Sequence, residues 1–227
     1  MKEKKAILNI AVDGPAGAGK STVAKELSKR LNILYLDTGA MYRALALKAI
    51  NQKVDINDDT AIKRLLGSTK IEVKYSGGTQ RTILDKKDVS DKIREPHISR
   101  AASDISAVPA VRYRMVELQR EIAAKQDTVL DGRDIGTYVL PKAAHKFFLT
   151  ARPDVRAERR YQELIAKGVE VSKEQVLADI LQRDENDSKR AVAPLKKADD
   201  AVEIDTSDID ADAATEKIIY IIKETAQ

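Results

Sequence analysis

The feature that most constrains this chain is a glycine-rich octet, Gly14-Pro15-Ala16-Gly17-Ala18-Gly19-Lys20-Ser21, which fits the pattern G-x-x-x-x-G-K-[ST]. Residues 6–12 before it form a short apolar run rich in Ile and Val, bounded by Asp13-Gly14-Pro15, and predict a buried strand. Val23, Leu27 and Leu31 after it recur at helical spacing. A strand that turns through glycines into a helix aims several backbone N–H groups at one anion, at the positive end of the helix dipole. In that setting Lys20 supplies a point charge to β and γ phosphates, and the Ser21 hydroxyl is a ligand for Mg²⁺. Residues 14–22, ending at Thr22, are therefore the expected cradle for the phosphates of a nucleotide.

The strand–loop–helix unit continues into a second short apolar stretch, residues 33–36, ending at Asp37. Further apolar strands are expected at 128–130, 146–150 and 201–204, alternating with helical patterns such as Val111, Met115, Leu118 and Ile122. Five strands alternating with helices imply an α/β fold with a doubly wound parallel sheet. Two segments break the alternation. Residues 70–84 alternate in period two around Gly77-Gly78, which predicts an inserted antiparallel hairpin. Residues 152–190 are dominated by charge and helix formers, with Gly168 between two helical patterns and a capping box available from Ser172 to Gln175, as in a mobile lid.

Composition narrows the classes. At 227 residues with 43% hydrophobic, the chain suits one α/β core carrying insertions. It has no cysteine, which excludes disulfides and thiolate chemistry and fits a reducing cytoplasm. The N-terminal apolar stretch is too short for a signal peptide or a membrane span, so no membrane association is expected. Lys+Arg number 40 against 36 Asp+Glu, and only 4% of residues are aromatic, so no basic stripe interleaved with aromatics argues for nucleic acid.

Among proteins with such a loop, a guanine-specific GTPase should carry N-K-x-D, which is missing from this sequence. A small kinase needs a second phosphate site instead, because two anionic substrates must be held in line. Two clusters offer one: Asp37-Thr38-Gly39-Ala40-Met41-Tyr42-Arg43 after the second strand, and Asp131-Gly132-Arg133-Asp134 after the third. Both fall where ligand loops gather at the carboxyl edge of a parallel sheet. Arg183, Asp187 and Arg190 share one face of a helix, which taken alone also fits a surface ion-pair ladder.

At these residues the chain resembles the bacterial cytidylate kinases. Ser99-Arg100-Ala101-Ala102-Ser103, Arg156-Ala157-Glu158-Arg159-Arg160 and Arg190-Ala191-Val192-Ala193-Pro194-Leu195 extend the resemblance over nearly the whole chain, including the hairpin segment ending Asp88-Val89-Ser90. The resemblance implies a three-layer P-loop kinase fold with a five-stranded central sheet, a small inserted subdomain for the nucleoside monophosphate, and a short helical lid. Its implied divisions are a core of 1–37, 101–151 and 191–227, an acceptor region of 38–100 and a lid of 152–190. It implies transfer of the γ-phosphoryl group of MgATP to CMP, and to dCMP, in a cytoplasmic monomer whose partners are small nucleotides. Arg43 and Arg133 would hold the CMP phosphate, alongside Thr38, Gly39, Tyr42, Asp131 and Gly132. Ser103, Arg112 and Asp134 would read cytosine, whose N4 donor and N3 and O2 acceptors need both an acceptor and an arginine. Arg183 and Asp187 resemble ribose contacts, Arg190 a phosphate ligand, and Arg156, Arg159 and Arg160 the lid arginines over the donor phosphates. Lys20, Arg133, Arg156 and Arg190 would carry the catalytic charge.

No general base is called for, since a phosphate monoester with a second pKa of about 6 is already a dianionic nucleophile at neutral pH. His97 and His145 therefore need no catalytic role. A kinase for a hydroxyl acceptor would use Asp131 or Asp37 as base, and a nucleotide-binding regulator is the third reading.

Overall fold

The computed structural model describes residues 7–76 and 79–225. The chain groups into two compact units, one made of residues up to Tyr35 and from Ala123 onward, the other spanning Leu36–Ile122.

In the first unit, β1 (Asn9–Asp13) runs parallel to β6 (Thr128–Asp131) on one side and to β7 (His145–Thr150) on the other, and β7 runs parallel to β8 (Val202–Asp205). With β2 (Leu34–Asp37) the five-stranded order is β2-β6-β1-β7-β8. These are the five strands expected from the sequence, four of them displaced by one residue and the first beginning three residues later; Ala6 lies outside the described residues. Helices α1 (Lys20–Leu31) and α8 (Ala211–Thr225) bury Val23, Leu27, Ile218 and Ile222 with Ile10, Val12, Val129, Phe147 and Leu149 of the sheet. Apolar runs such as Val-Leu in β6 are buried on both faces, as a parallel sheet demands. Helices α6 (Pro153–Ala166) and α7 (Lys173–Lys189) pack on each other through Ala157, Leu164, Val176 and Ile180. Gly168 separates them at φ +72, and the Ser172/Gln175 capping box is formed in both directions.

Four of the five strands, β1, β2, β6 and β8, end in aspartate at the carboxyl edge. Each of these carboxylates accepts hydrogen bonds from the chain around it.

The second unit holds α2 (Thr38–Asn51), α3 (Asp59–Gly67), α4 (Pro96–Ile105) and α5 (Pro109–Ala123) with an antiparallel sheet in the order β3-β4-β5. The expected hairpin is β3 (Ile71–Ser76) with β4 (Thr79–Leu84), in register from Ile71↔Leu84 to Ser76↔Thr79. Its Gly77-Gly78 turn lies outside the described residues. A third strand, β5 (Lys87–Asp88), is too short to have been read from alternation. The segment after β2, expected among the ligand loops, enters α2 at once, because the Asp37 carboxylate caps that helix by accepting from Ala40 N at 2.8 Å. No helix among the described residues is long and apolar enough to cross a membrane.

Candidate active site

The glycine octet leaves β1 under tight steric control. A Cβ on Gly14, at φ +143, would fall 1.9 Å from Leu149 O, so only glycine fits. Gly17, at φ +80, lies against Arg156, whose Cβ would be 3.0 Å from a new methyl. Lys20 opens α1 with 5% of its surface exposed and donates through Nζ to Pro15 O at 2.6 Å. The first turn of α1 holds no acidic residue of its own, and no side chain caps it. Burial, together with the charge of Arg133, pushes the Lys20 pKa well below its ordinary value, against the pull of Asp131, Asp187 and Asp13. An arriving polyanion relieves that stress. Ser21 Oγ donates to Asp131 Oδ2 at 2.6 Å, and Tyr35 OH donates to Asp131 Oδ1 at 3.0 Å. A hydroxyl and a carboxylate side by side form a hard oxygen pair that fits Mg²⁺, a cation bound through one or two carboxylates while keeping several waters. No group of three His, Cys, Asp or Glu side chains placed to hold a metal ion occurs among the described residues.

Arg133 and Arg190 converge on Asp187 of α7. Arg133 Nε donates to Asp187 Oδ2 at 2.8 Å, and Arg190 Nη2 donates to Oδ1. Burial works against the charge of Asp187, yet Arg133 and Arg190 hold its carboxyl below the usual range. Asp131 and Asp184 face Arg133 as well, so the cluster interleaves cations with carboxylates. Arg183 lies one turn earlier on α7, and its charge also lowers the Asp187 pKa.

Of the three α6 arginines, Arg156 reaches the phosphate loop. It is 4% exposed, donates to Ala16 O at 3.0 Å and Ala151 O at 2.9 Å, and pairs with Asp184 of α7 at 2.7 Å. Arg159 donates to Thr206 O at 2.6 Å and to Thr206 Oγ1 at 3.1 Å. Arg160 pairs with Glu163 at 2.7 Å along the same helix.

In the second unit, Arg43 Nη2 donates to Asp37 Oδ2 at 2.9 Å on the first turn of α2, and a Cβ on Gly39 would meet Arg43 Nη1 at 3.0 Å. Glycine at 39 therefore lets the guanidinium fold over the helix start. Thr38 is buried there. Arg112 of α5 is fully buried, donates to Ser106 O at 3.3 Å and lies 5.7 Å from the Tyr42 ring centre, within cation–π range. Ser103 Oγ is buried with no hydrogen-bond partner, which marks it as a polar atom awaiting one. Asp131, Gly132, Arg133 and Asp134 belong to the first unit, where Gly132 N donates to Val12 O at 3.1 Å and Asp134 is 5% exposed. His97 is exposed on α4 and His145 opens β7.

Sequence reasoning missed four residues of this machinery. Asp13 was read only as the end of a strand, yet it accepts from the N–H groups of Ile135 and Gly136 at 2.8 and 2.7 Å. Asp184 pairs with Arg156, Thr206 ties Ala18 O to Arg159, and Tyr35 holds Asp131. Asp184 alone carried a signal, lying one residue after Arg183 on a charged helix; the others depend on long-range contacts.

Comparison with known proteins adds sequence evidence to this geometry. The family model for cytidylate kinase matches residues 10–224. A cytidylate kinase of Carboxydothermus hydrogenoformans is 47% identical over 215 residues, 95% of this chain and 97% of that protein. One of Pelotomaculum thermopropionicum is 50% identical over 212 residues, 93% of this chain and 94% of that protein. Among solved structures, an uncharacterized protein from Eubacterium ventriosum matches with a TM-score of 0.52 at 17% identity, over 96% of this chain and 99% of that one, a likeness of fold.

Proposed function

The chain belongs to the cytidylate kinase family, and on that premise we propose that it transfers the γ-phosphoryl group of MgATP to CMP, giving CDP and ADP, and accepts dCMP as well. The observation that carries this reading is Lys20, buried at the end of the glycine loop, where burial and the charge of Arg133 push its pKa well below the ordinary value, a stress that phosphate groups would relieve.

The phosphate loop and Lys20 bind the donor triphosphate, with Lys20 leaving Pro15 O for the β and γ oxygens. Ser21 and Asp131 would hold Mg²⁺, which when bound neutralises charge on the phosphoryl oxygens. Arg43 and Arg133 fork onto the CMP phosphate, and Arg190 adds charge as the phosphoryl group passes. Arg156, Arg159 and Arg160, on a lid of residues 152–190, close over the donor phosphates. Arg183 and Asp187 take the ribose, while Ser103, Arg112 and Asp134 read the base; the unpartnered Ser103 hydroxyl supports that role. The acceptor dianion attacks in line without a general base, so catalysis is positioning and charge stabilisation. We place the enzyme in the cytoplasm as a monomer, with no nucleic-acid or membrane partner.

The test is a coupled assay of ADP release with ATP and a panel of CMP, dCMP, UMP, AMP and small hydroxylated acceptors. Turnover greatest with CMP is expected. Turnover restricted to a hydroxyl acceptor would overturn the reading in favour of Asp131 or Asp37 as a base.

A further inference from the structure

We propose that Asp13 is a positioning residue for acceptor recognition: its carboxylate grips the backbone of Ile135 and Gly136 and thereby sets the pose of Arg133 and Asp134. The inference rests on the reading above, in which those two side chains touch CMP.

Asp13 ends β1, one residue before the phosphate loop, and is 4% exposed. Its two oxygens are both spent on the turn that follows Asp134, Oδ1 on Ile135 N at 2.8 Å and Oδ2 on Gly136 N at 2.7 Å. That turn, Ile135–Val139, is a wide π-helical one in which Leu140 N reaches Ile135 O at 2.7 Å and Val139 N reaches Asp134 O at 3.0 Å. Such turns are rare and occur frequently at functional sites. The residue at its N-cap position is Asp134, at φ −145, and the Asp134 side chain makes no capping bond. An aspartate at that position ordinarily caps its own helix. Here a carboxylate from a strand more than a hundred residues away does so, and Asp134 is not committed to the cap.

The far end of the segment is tied independently. Lys146 Nζ donates to Pro141 O at 2.6 Å and to both oxygens of Asp200, at 2.9 and 2.7 Å. A Cβ on Gly136 would lie 3.1 Å from Lys146 Cδ and 3.4 Å from Asp13 Oδ2, so the turn is wedged between the two ties. The Asp13 charge is also costly to keep. Burial pushes its carboxyl up to about 6 and the nearby Asp134 adds to this, while the two backbone donors and Lys20 pull the other way. A buried carboxylate maintained at such cost, where a neutral side chain would suffice for packing, points to a task of position.

Asp13→Asn keeps the shape but presents an amide N–H₂ to one of the two backbone donors. Turnover of CMP by the wild type is established first, and its absence defeats the functional reading rather than this inference. In the variant, KM for CMP should rise roughly tenfold or more while KM for ATP stays within about twofold. A residue that merely supports the adjoining phosphate loop would raise KM for ATP in step. That outcome, or no change in either constant, overturns the proposal. Should Asp13→Asn lack a cooperative melt, the same ratio is read in Gly136→Ala, whose methyl would press on Lys146 Cδ at 3.1 Å and so shift the turn that the carboxylate holds. A shift confined to CMP supports the inference there too, and a shift shared with ATP or absent rejects it.

Discussion

Helix α7 carries two ion pairs that look alike on paper. Glu185 and Lys189 meet at 2.6 Å, and Asp187 meets Arg133 at 2.8 Å. The first pair has side chains 51% and 75% exposed, whereas Asp187 is 7% exposed and shared with Arg190. On the solvent face the carboxylate and the ammonium are each hydrated, so the contact is one weak geometry among many. On the inner face water is excluded, and two guanidinium groups share one carboxylate in surroundings that strengthen the interaction. Contact distance therefore says little about a site; burial and a shared partner say more.

The sharpest break of that contrast is Lys20→Ala, which removes the buried ammonium at the loop. Turnover with ATP and CMP should fall roughly a hundred- to a thousandfold, with the fold checked by thermal melting. Near-normal turnover in a folded variant would show that the loop does not serve the donor.

Asp187→Asn tests the inner face directly. Breaking a buried pair costs about 3 to 5 kcal/mol, here reduced to about 2 to 3 because Arg133 keeps 21% of its side chain exposed. Asp187 is held below its unfolded pKa, so its contribution is present above about pH 4 and is lost as pH falls through the folded value. Denaturant melts should show the gap between wild type and variant closing below pH 4.

Asp13 should behave in the opposite sense, since its folded pKa of about 6 is raised above the unfolded 3.8. The folded state then binds the proton more tightly, and this group's contribution falls as pH rises from about 4 to 6. Relative to Asp13→Asn, the wild type should lose on the order of 2 kcal/mol across that window. A difference that is flat with pH would mean that Asp13 titrates normally despite its burial and its neighbours Asp134 and Lys20.

Base selection gives a comparable effect on activity. Asp134→Ala should cost about 1.5 to 3 kcal/mol in kcat/KM for CMP, through a lost charge-assisted hydrogen bond, and less for UMP, which presents an acceptor at position 4. The quantity to measure is the CMP/UMP ratio of kcat/KM, and an unchanged ratio would move base reading elsewhere. The smallest effect belongs to the outer face of α7, where Glu185→Gln should leave kcat unaltered and move Tm by less than about 1 °C. A larger shift would erase the distinction between the two faces.

What the sequence determined on its own is whatever depends on neighbours along the chain. The strand, the glycine turn and the first helix of the phosphate loop, the period-two hairpin over Ile71–Ser76 and Thr79–Leu84, and the Ser172 capping box are all set by residues within a few positions of one another. The resemblance carried in Arg133, Asp187 and Arg190 likewise named the family before any contact was known. Tertiary structure alone decided which charges share a partner. Ser21 meets Asp131 across 110 residues, Asp13 meets Ile135 across 122, and Arg156 meets Ala16 across 140. The capping of α2 by Asp37 lay between these limits, because its turn signal was legible and the helix it begins was not. No local pattern encodes the distant pairings, because a buried charge takes its meaning from the low-dielectric surroundings that only the folded chain assembles around it.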